Sequence, residues 1–239
     1  MLLLVVLLAG SARAATDRQT RTFPWSATRT LTLELTVGEV RILGSDRPDI
    51  EVAVQRTAPT TEGLGQVPVD VEDTPERVSI RATQNGGGTD PAFRTDVVLR
   101  VPAAAIVERV RVMEGKLAVE QFRGALSAEV RRGPIDAVNV SGTLRLETGI
   151  GSVTLRNARL VPGGLLRLRA FNGDVRLQMP GAPANARVMA LALNGTIQSD
   201  IPMTTRDTWG PRWSEATLGK GEPVISIDVV TGKVEIRTR

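Results

Sequence analysis

From Gly115 onward a glycine recurs every nine residues, at Gly115, Gly124, Gly133, Gly142 and Gly151. Each glycine opens a block in which apolar residues alternate with polar ones. The apolar pairs are Leu117/Val119, Leu126/Ala128, Ile135/Ala137, Leu144/Leu146 and Val153/Leu155. Alternation with a period of two is the mark of a half-buried strand, and a strand-and-turn unit repeated at a fixed interval predicts strands stacked in a regular array. Glycine suits the corners between such strands because it reaches positive φ without steric cost. Taking alternate blocks sharpens the pattern. Leu117, Ile135 and Val153 are 18 apart, and Val175 and Ile197 follow at 22. Leu126 and Leu144 are 18 apart, and Leu166 and Val188 follow at 22. Both series lengthen in the same place, at the turns Val161-Pro162-Gly163-Gly164 and Pro180-Gly181-Ala182-Pro183. The expected fold is all-β, a right-handed parallel β-helix or β-solenoid with two strand faces per coil. Those nine residues should point inward and touch their equivalents one rung away. A chance nine-residue run in a β-sandwich is the competing reading.

The rest of the chain fits around that array. Residues 1–14 read as a secretory signal peptide: an apolar run over residues 2–8, too short to span a bilayer, then Ala12-Arg13-Ala14 as a small-x-small cleavage site. A polar segment occupies 15–30, and a β-strand region 31–105 opens with Leu31, Leu33, Leu35 and Val37 in strict alternation. The repeats fill 106–239, interrupted by a tryptophan-containing loop at 202–223. No window carries a helical apolar period, so little helix is expected. The loop Trp209-Gly210-Pro211-Arg212-Trp213 admits two readings. Trp209, Arg212 and Trp213 are candidate ligand contacts, since indoles beside a guanidinium stack on sugar rings. Alternatively the indoles form a C-terminal cap over the open end of the array, as solenoids require.

The chain lacks His, Cys and Tyr altogether. This removes the commonest general base, thiolate chemistry, disulfides and the usual zinc ligands. Its net charge of +4 comes from 30 basic and 26 acidic residues with no run of five like charges, so no nucleic-acid partner is expected. No second apolar stretch is long enough for a transmembrane segment in the mature chain. On the predicted faces the outward residues are mixed. One face shows Asp136, Thr154, Arg176 and Gln198; the other shows a column of Glu129, Glu147 and Arg169 beside a column of Ser127, Arg145 and Arg167. Neither offers the pair of facing carboxylates that a glycosidase needs. No catalytic, cofactor-binding or metal-ligating residue is assigned, and no cofactor is expected.

The blocks Phe171-Asn172-Gly173-Asp174-Val175-Arg176-Leu177, Leu193-Asn194-Gly195-Thr196-Ile197 and Val230-Thr231-Gly232-Lys233-Val234-Glu235-Ile236 resemble the recurring strand motif of the DUF4097 family of bacterial adhesin-type proteins. So do the opening Gly38-Glu39-Val40-Arg41-Ile42 and the closing Gly-rich turn Leu218-Gly219-Lys220-Gly221. The resemblance implies an exported β-helix-like fold and no catalytic residues. The leading expectation is therefore a non-enzymatic adhesin, binding or structural module, periplasmic or extracellular, whose partner is an unknown envelope protein or glycan. A carbohydrate-active β-helix enzyme and an envelope-stress signalling accessory are the alternatives.

Overall fold

The computed structural model describes residues 14–206 and 210–239. The expected signal peptide therefore lies outside the described residues except for Ala14, and Trp209 lies outside them as well. The first strands are β1 (Ala15–Pro24), β2 (Thr30–Ser45), β3 (Asp49–Ala58), β4 (Asp70–Asp73), β5 (Arg77–Ala82) and β6 (Arg94–Pro102). Then come β7 (Ile106–Glu120), β8 (Ala125–Arg132), β9 (Ile135–Val138), β10 (Thr143–Ile150), β11 (Val153–Arg156) and β12 (Leu165–Asn172). The last are β13 (Val175–Met179), β14 (Ala186–Ser199), β15 (Thr204–Arg206), β16 (Arg212–Leu218) and β17 (Val224–Thr238). Among the described residues hydrogen bonds join all seventeen into one mixed sheet. The polar segment after residue 14 is thus itself a strand, β1, antiparallel to β3.

Parallel pairing forms two ladders. In the first, Leu126, Leu144 and Leu166 stand side by side on β8, β10 and β12. In the second, Leu117, Ile135, Val153 and Val175 align on β7, β9, β11 and β13. The nine-residue glycine period is therefore two interleaved 18-residue registers. Four long strands, β2, β7, β14 and β17, serve both ladders, passing from one to the other at Gly38, Gly115, Gly195 and Gly232. The inward residues of both ladders meet in a single hydrophobic cluster. Of the nine residues expected to point inward, all but Ile197 are buried. Ile197 is half-buried because its strand segment pairs with β17 on one side alone. Thr148, in the inward column among Val130 and Ala170, is fully buried and donates its hydroxyl to the Gly133 carbonyl at 2.8 Å.

The order of rungs departs from the order of the chain. Spacing alone placed Val188 beside Leu166 and Ile197 beside Val175. Instead β17 lies between them: Leu166 pairs with Ile225, which pairs with Val188, and Val175 pairs with Val234, which pairs with Ile197. β17 carries the full two-ladder pattern on either side of Gly232, so it can satisfy backbone groups on both its edges along its whole length. β14 is followed by the interrupted segment 199–218, and it sits at the margin, with β16 returning antiparallel along its free edge. Antiparallel strands close the other end too, where β4 pairs with β5 and β1 with β3. There Arg29, almost wholly buried, donates to the carbonyls of Pro24 and Thr74 and to the carboxylate of Asp73, tying three chain segments together.

The expected indole cap takes a different form. On β16 the core-facing side carries buried Ser214 with Ala216 and Leu218, and the core is further covered by Ile201 and Met203. Trp213 alternates with Ser214 and so lies on the opposite, outward side, across from Leu191. Aliphatic side chains, not the Trp213 indole, close that end.

Candidate functional site

In a parallel ladder in register, outward residues of successive strands form straight columns with a rung spacing of ~4.8 Å. On the first ladder two such columns run side by side. The first contains Thr32, Arg109, Ser127, Arg145, Arg167 and Ser226, on β2, β7, β8, β10, β12 and β17. The second contains Glu34, Arg111, Glu129, Glu147, Arg169 and Asp228. The columns are set by the corner glycines. Residues six before Gly38, Gly115, Gly133, Gly151, Gly173 and Gly232 fall in the first, and residues four before them in the second.

The two columns differ in electrostatics. The second compensates itself: Arg111 Nε lies 3.6 Å from Glu129, Arg169 Nη1 lies 3.8 Å from Glu147, and Arg81 Nε lies 3.8 Å from Glu34. These pairs are half-exposed, each worth about 0–1 kcal/mol. From Thr32 to Ser226 the first column contains only arginines and hydroxyls, and beyond Ser226 its line continues to Met189 and Glu215. Among the described residues no carboxylate comes within 4.0 Å of the guanidinium of Arg109, Arg145 or Arg167. A β-bulge in β7 leaves both Glu108 and Arg109 on the exposed side. Glu108 is drawn off toward Arg77, 3.6 Å away, leaving Arg109 to line the groove. Together these residues border a shallow groove of about 300 Å³ lined by five arginines and two glutamates. Guanidinium forks are suited to bidentate capture of carboxylate or sulfate, and here they stand in single file.

Among the described residues the second ladder has no comparable row. Its outward Asp136 pairs with Lys116 at 3.2 Å, and Arg176 pairs with Asp174 at 3.0 Å and Glu235 at 3.5 Å. Arg237 bridges Glu235 and Asp200.

Of the residues singled out beforehand, Arg212 and Trp213 begin β16, at the margin of the first ladder. The half-buried Trp213 lies in line with the second column, beyond Asp228 and Leu191. The structure does not bring Arg212 and Trp213 to the arginine groove. Ser127, Arg145 and Arg167 were legible as a column, and so were Glu129, Glu147 and Arg169. Arg109, Arg111, Ser226 and Asp228 were missed. Arg109 and Arg111 stand 18 residues before Ser127 and Glu129, so the repeat interval reaches back to them, whereas the long insertion before β17 hides the others. Counting back from each corner glycine would have found all four.

Comparison with solved structures finds a likeness of fold. A "putative cell adhesion protein" from Clostridium sporogenes superposes with a TM-score of 0.52 at 14% identity, covering 95% of this chain and 100% of that one. A "putative adhesin" from Bacteroides fragilis reaches 0.34 at 10% identity, over 92% of this chain and 97% of that one. A "putative lipid binding protein" from Parabacteroides distasonis reaches 0.36 at 10% identity, over 93% and 95%. At such identities the likeness concerns the fold alone, and of these three overlaps the first exceeds a TM-score of 0.5. No family model and no curated protein matches the chain.

Proposed function

We propose that this chain is an exported, non-enzymatic binding module, an adhesin-type β-solenoid whose working surface is the outward side of the first ladder. In this reading the two ladders are the two faces of a coil, and residues 1–14 are removed on export. One observation carries the functional part: the parallel ladder shows its environment columns of side chains, and over six strands one of them holds three unpaired arginines and three hydroxyl residues with no carboxylate among them. A rigid surface of this kind is suited to an extended partner, because little ordering of the protein opposes binding. The full-length overlap with the Clostridium protein supports the architecture. The test is to pass isolated envelope polymers over the immobilised protein, while assaying the same polymers for chain cleavage with and without Ca²⁺. Retention without new chain ends is the expected result. Cleavage, or no retention of any polymer, would refute it.

A further inference from the structure

The chemistry of the two columns narrows the partner. A membrane surface, an acidic peptide, a nucleic acid and an acidic polysaccharide all carry negative charge, but they distribute it differently. The unpaired guanidinium groups of Arg109, Arg145 and Arg167 lie along one line, perpendicular to the strands and bounded by Thr32 and Ser226. From Arg109 to Ser226 the row spans four rungs, ~19 Å. A partner that satisfies it must repeat its anionic groups along a single axis. Alongside runs a second row in which Glu129 and Glu147 each reach one arginine at 3.6–3.8 Å, too long for a hydrogen bond, so their oxygens remain free to accept. Acceptors beside a cationic row repel a surface made of phosphates. They suit a polymer that carries hydroxyl donors next to its acid groups. The row also lacks the aromatic side chains on which unpaired bases stack.

We infer that the groove binds a linear anionic polysaccharide laid across the strands. Its carboxylates or sulfates sit on the guanidinium forks of Arg109, Arg145 and Arg167, and its hydroxyls donate to Glu129 and Glu147. This rests on the reading of the chain as a binding module and adds the class of its ligand.

The experiment measures binding of the full folded chain to polygalacturonate, with dextran as the neutral polymer and with phosphatidylglycerol vesicles and duplex DNA as other anions. Three variants accompany it. R145A/R167A removes two forks, R145K/R167K keeps the charge without the fork, and R156A removes an exposed arginine of the second ladder. Unfolding curves that coincide with wild type establish that each is folded, as exposed positions allow. Wild type and R156A should bind polygalacturonate equally, with affinity falling as salt rises. R145A/R167A should bind roughly tenfold more weakly or worse, and R145K/R167K should fall between. Equal binding by wild type and R145A/R167A would overturn the inference, as would stronger binding of vesicles or DNA than of the polysaccharide. If dextran or another neutral polymer is retained and polygalacturonate is not, the ligand class is wrong while the binding module stands. If polygalacturonate binds through the arginines and is then cleaved, the ligand class stands and the non-enzymatic reading falls.

Discussion

A Cβ added at Gly133 would stand 1.6 Å from the carbonyl oxygen of Gly115, and the backbone there has φ +138°. The same approach recurs from Gly115 to Gly38 and from Gly173 to Gly151, so the corner is a column of glycines in which each rung leans on the carbonyl of the last. Gly133→Ala should therefore lose ~2 kcal/mol or more in chemical denaturation, because both strain and contact oppose the methyl group. Gly181 has nothing within 4 Å of such a methyl and no positive φ, so Gly181→Ala should be neutral or slightly stabilising. Equal effects at the two sites would show that the corner is not tightly stacked. A second residue with a defined task is Asp200, whose carboxylate accepts from the Thr238 amide at 3.1 Å and from Arg237 at 2.9 Å. The Thr238 N–H, and after it the Arg237 guanidinium, hold its pKa below the ordinary aspartate value. A carboxyl with a depressed folded-state pKa adds stability that is complete above its unfolded value of ~3.9 and drains away as pH falls through the folded one. Asp200→Asn should thus reduce stability at neutral pH but converge with wild type under acid. A constant difference across that range would remove the charge from the account.

At the scale of elements, stability comes from inward columns. Leu144 is fully buried, with Leu126 and Leu166 as its neighbours on adjacent rungs. Leu144→Ala should cost about 2–5 kcal/mol, the range for a large-to-small change in a packed core, read from denaturant unfolding. A loss below 1 kcal/mol would mean that the rungs collapse onto the cavity. The outward columns contribute little by contrast, since their ion pairs are half-exposed. Arg111 and Glu129 can therefore be changed for binding studies with little penalty to the fold. The ends of the array are closed by pairing strands antiparallel, which leaves β1, rich in Thr and Arg, as an exposed polar edge. Charged and polar edges discourage further sheet growth.

At the scale of the whole molecule, the insertion of β17 joins the last residues of the chain to its middle. Chain ends ordinarily fray first, and their amides exchange fastest. Here the amides of Ile225, Ile227, Val229 and Val234 lie between strands on both sides, and these residues are buried. Hydrogen exchange should protect them as strongly as Leu144 and Leu146 in β10. If they exchange at the rate of β1, β17 does not hold the array together. Because β17 pairs with β12, β13 and β14, its place in the sheet depends on contacts made across long stretches of chain.

The local repeat by itself determined that strands of four to eight residues alternate inward and outward, and that glycines mark their corners. It also determined that equivalent residues stack at intervals of 18, because those properties follow from side-chain period and backbone sterics within one or two blocks. It placed Ser127, Arg145 and Arg167 in one column for the same reason. It could not determine which block lies beside which once the interval was broken. Val188 is in phase with both Leu166 and Ile225, and the choice between them depends on which strand can satisfy hydrogen bonds along both edges. Nor could it show that Glu108 is drawn to Arg77 while Arg109 stays unpaired, since a bulge shifts the register and the partner lies on a distant strand. The two readings of Trp213 stayed open for a related reason: which side of β16 meets the core depends on its antiparallel register with β14, and only the assembled sheet decides that.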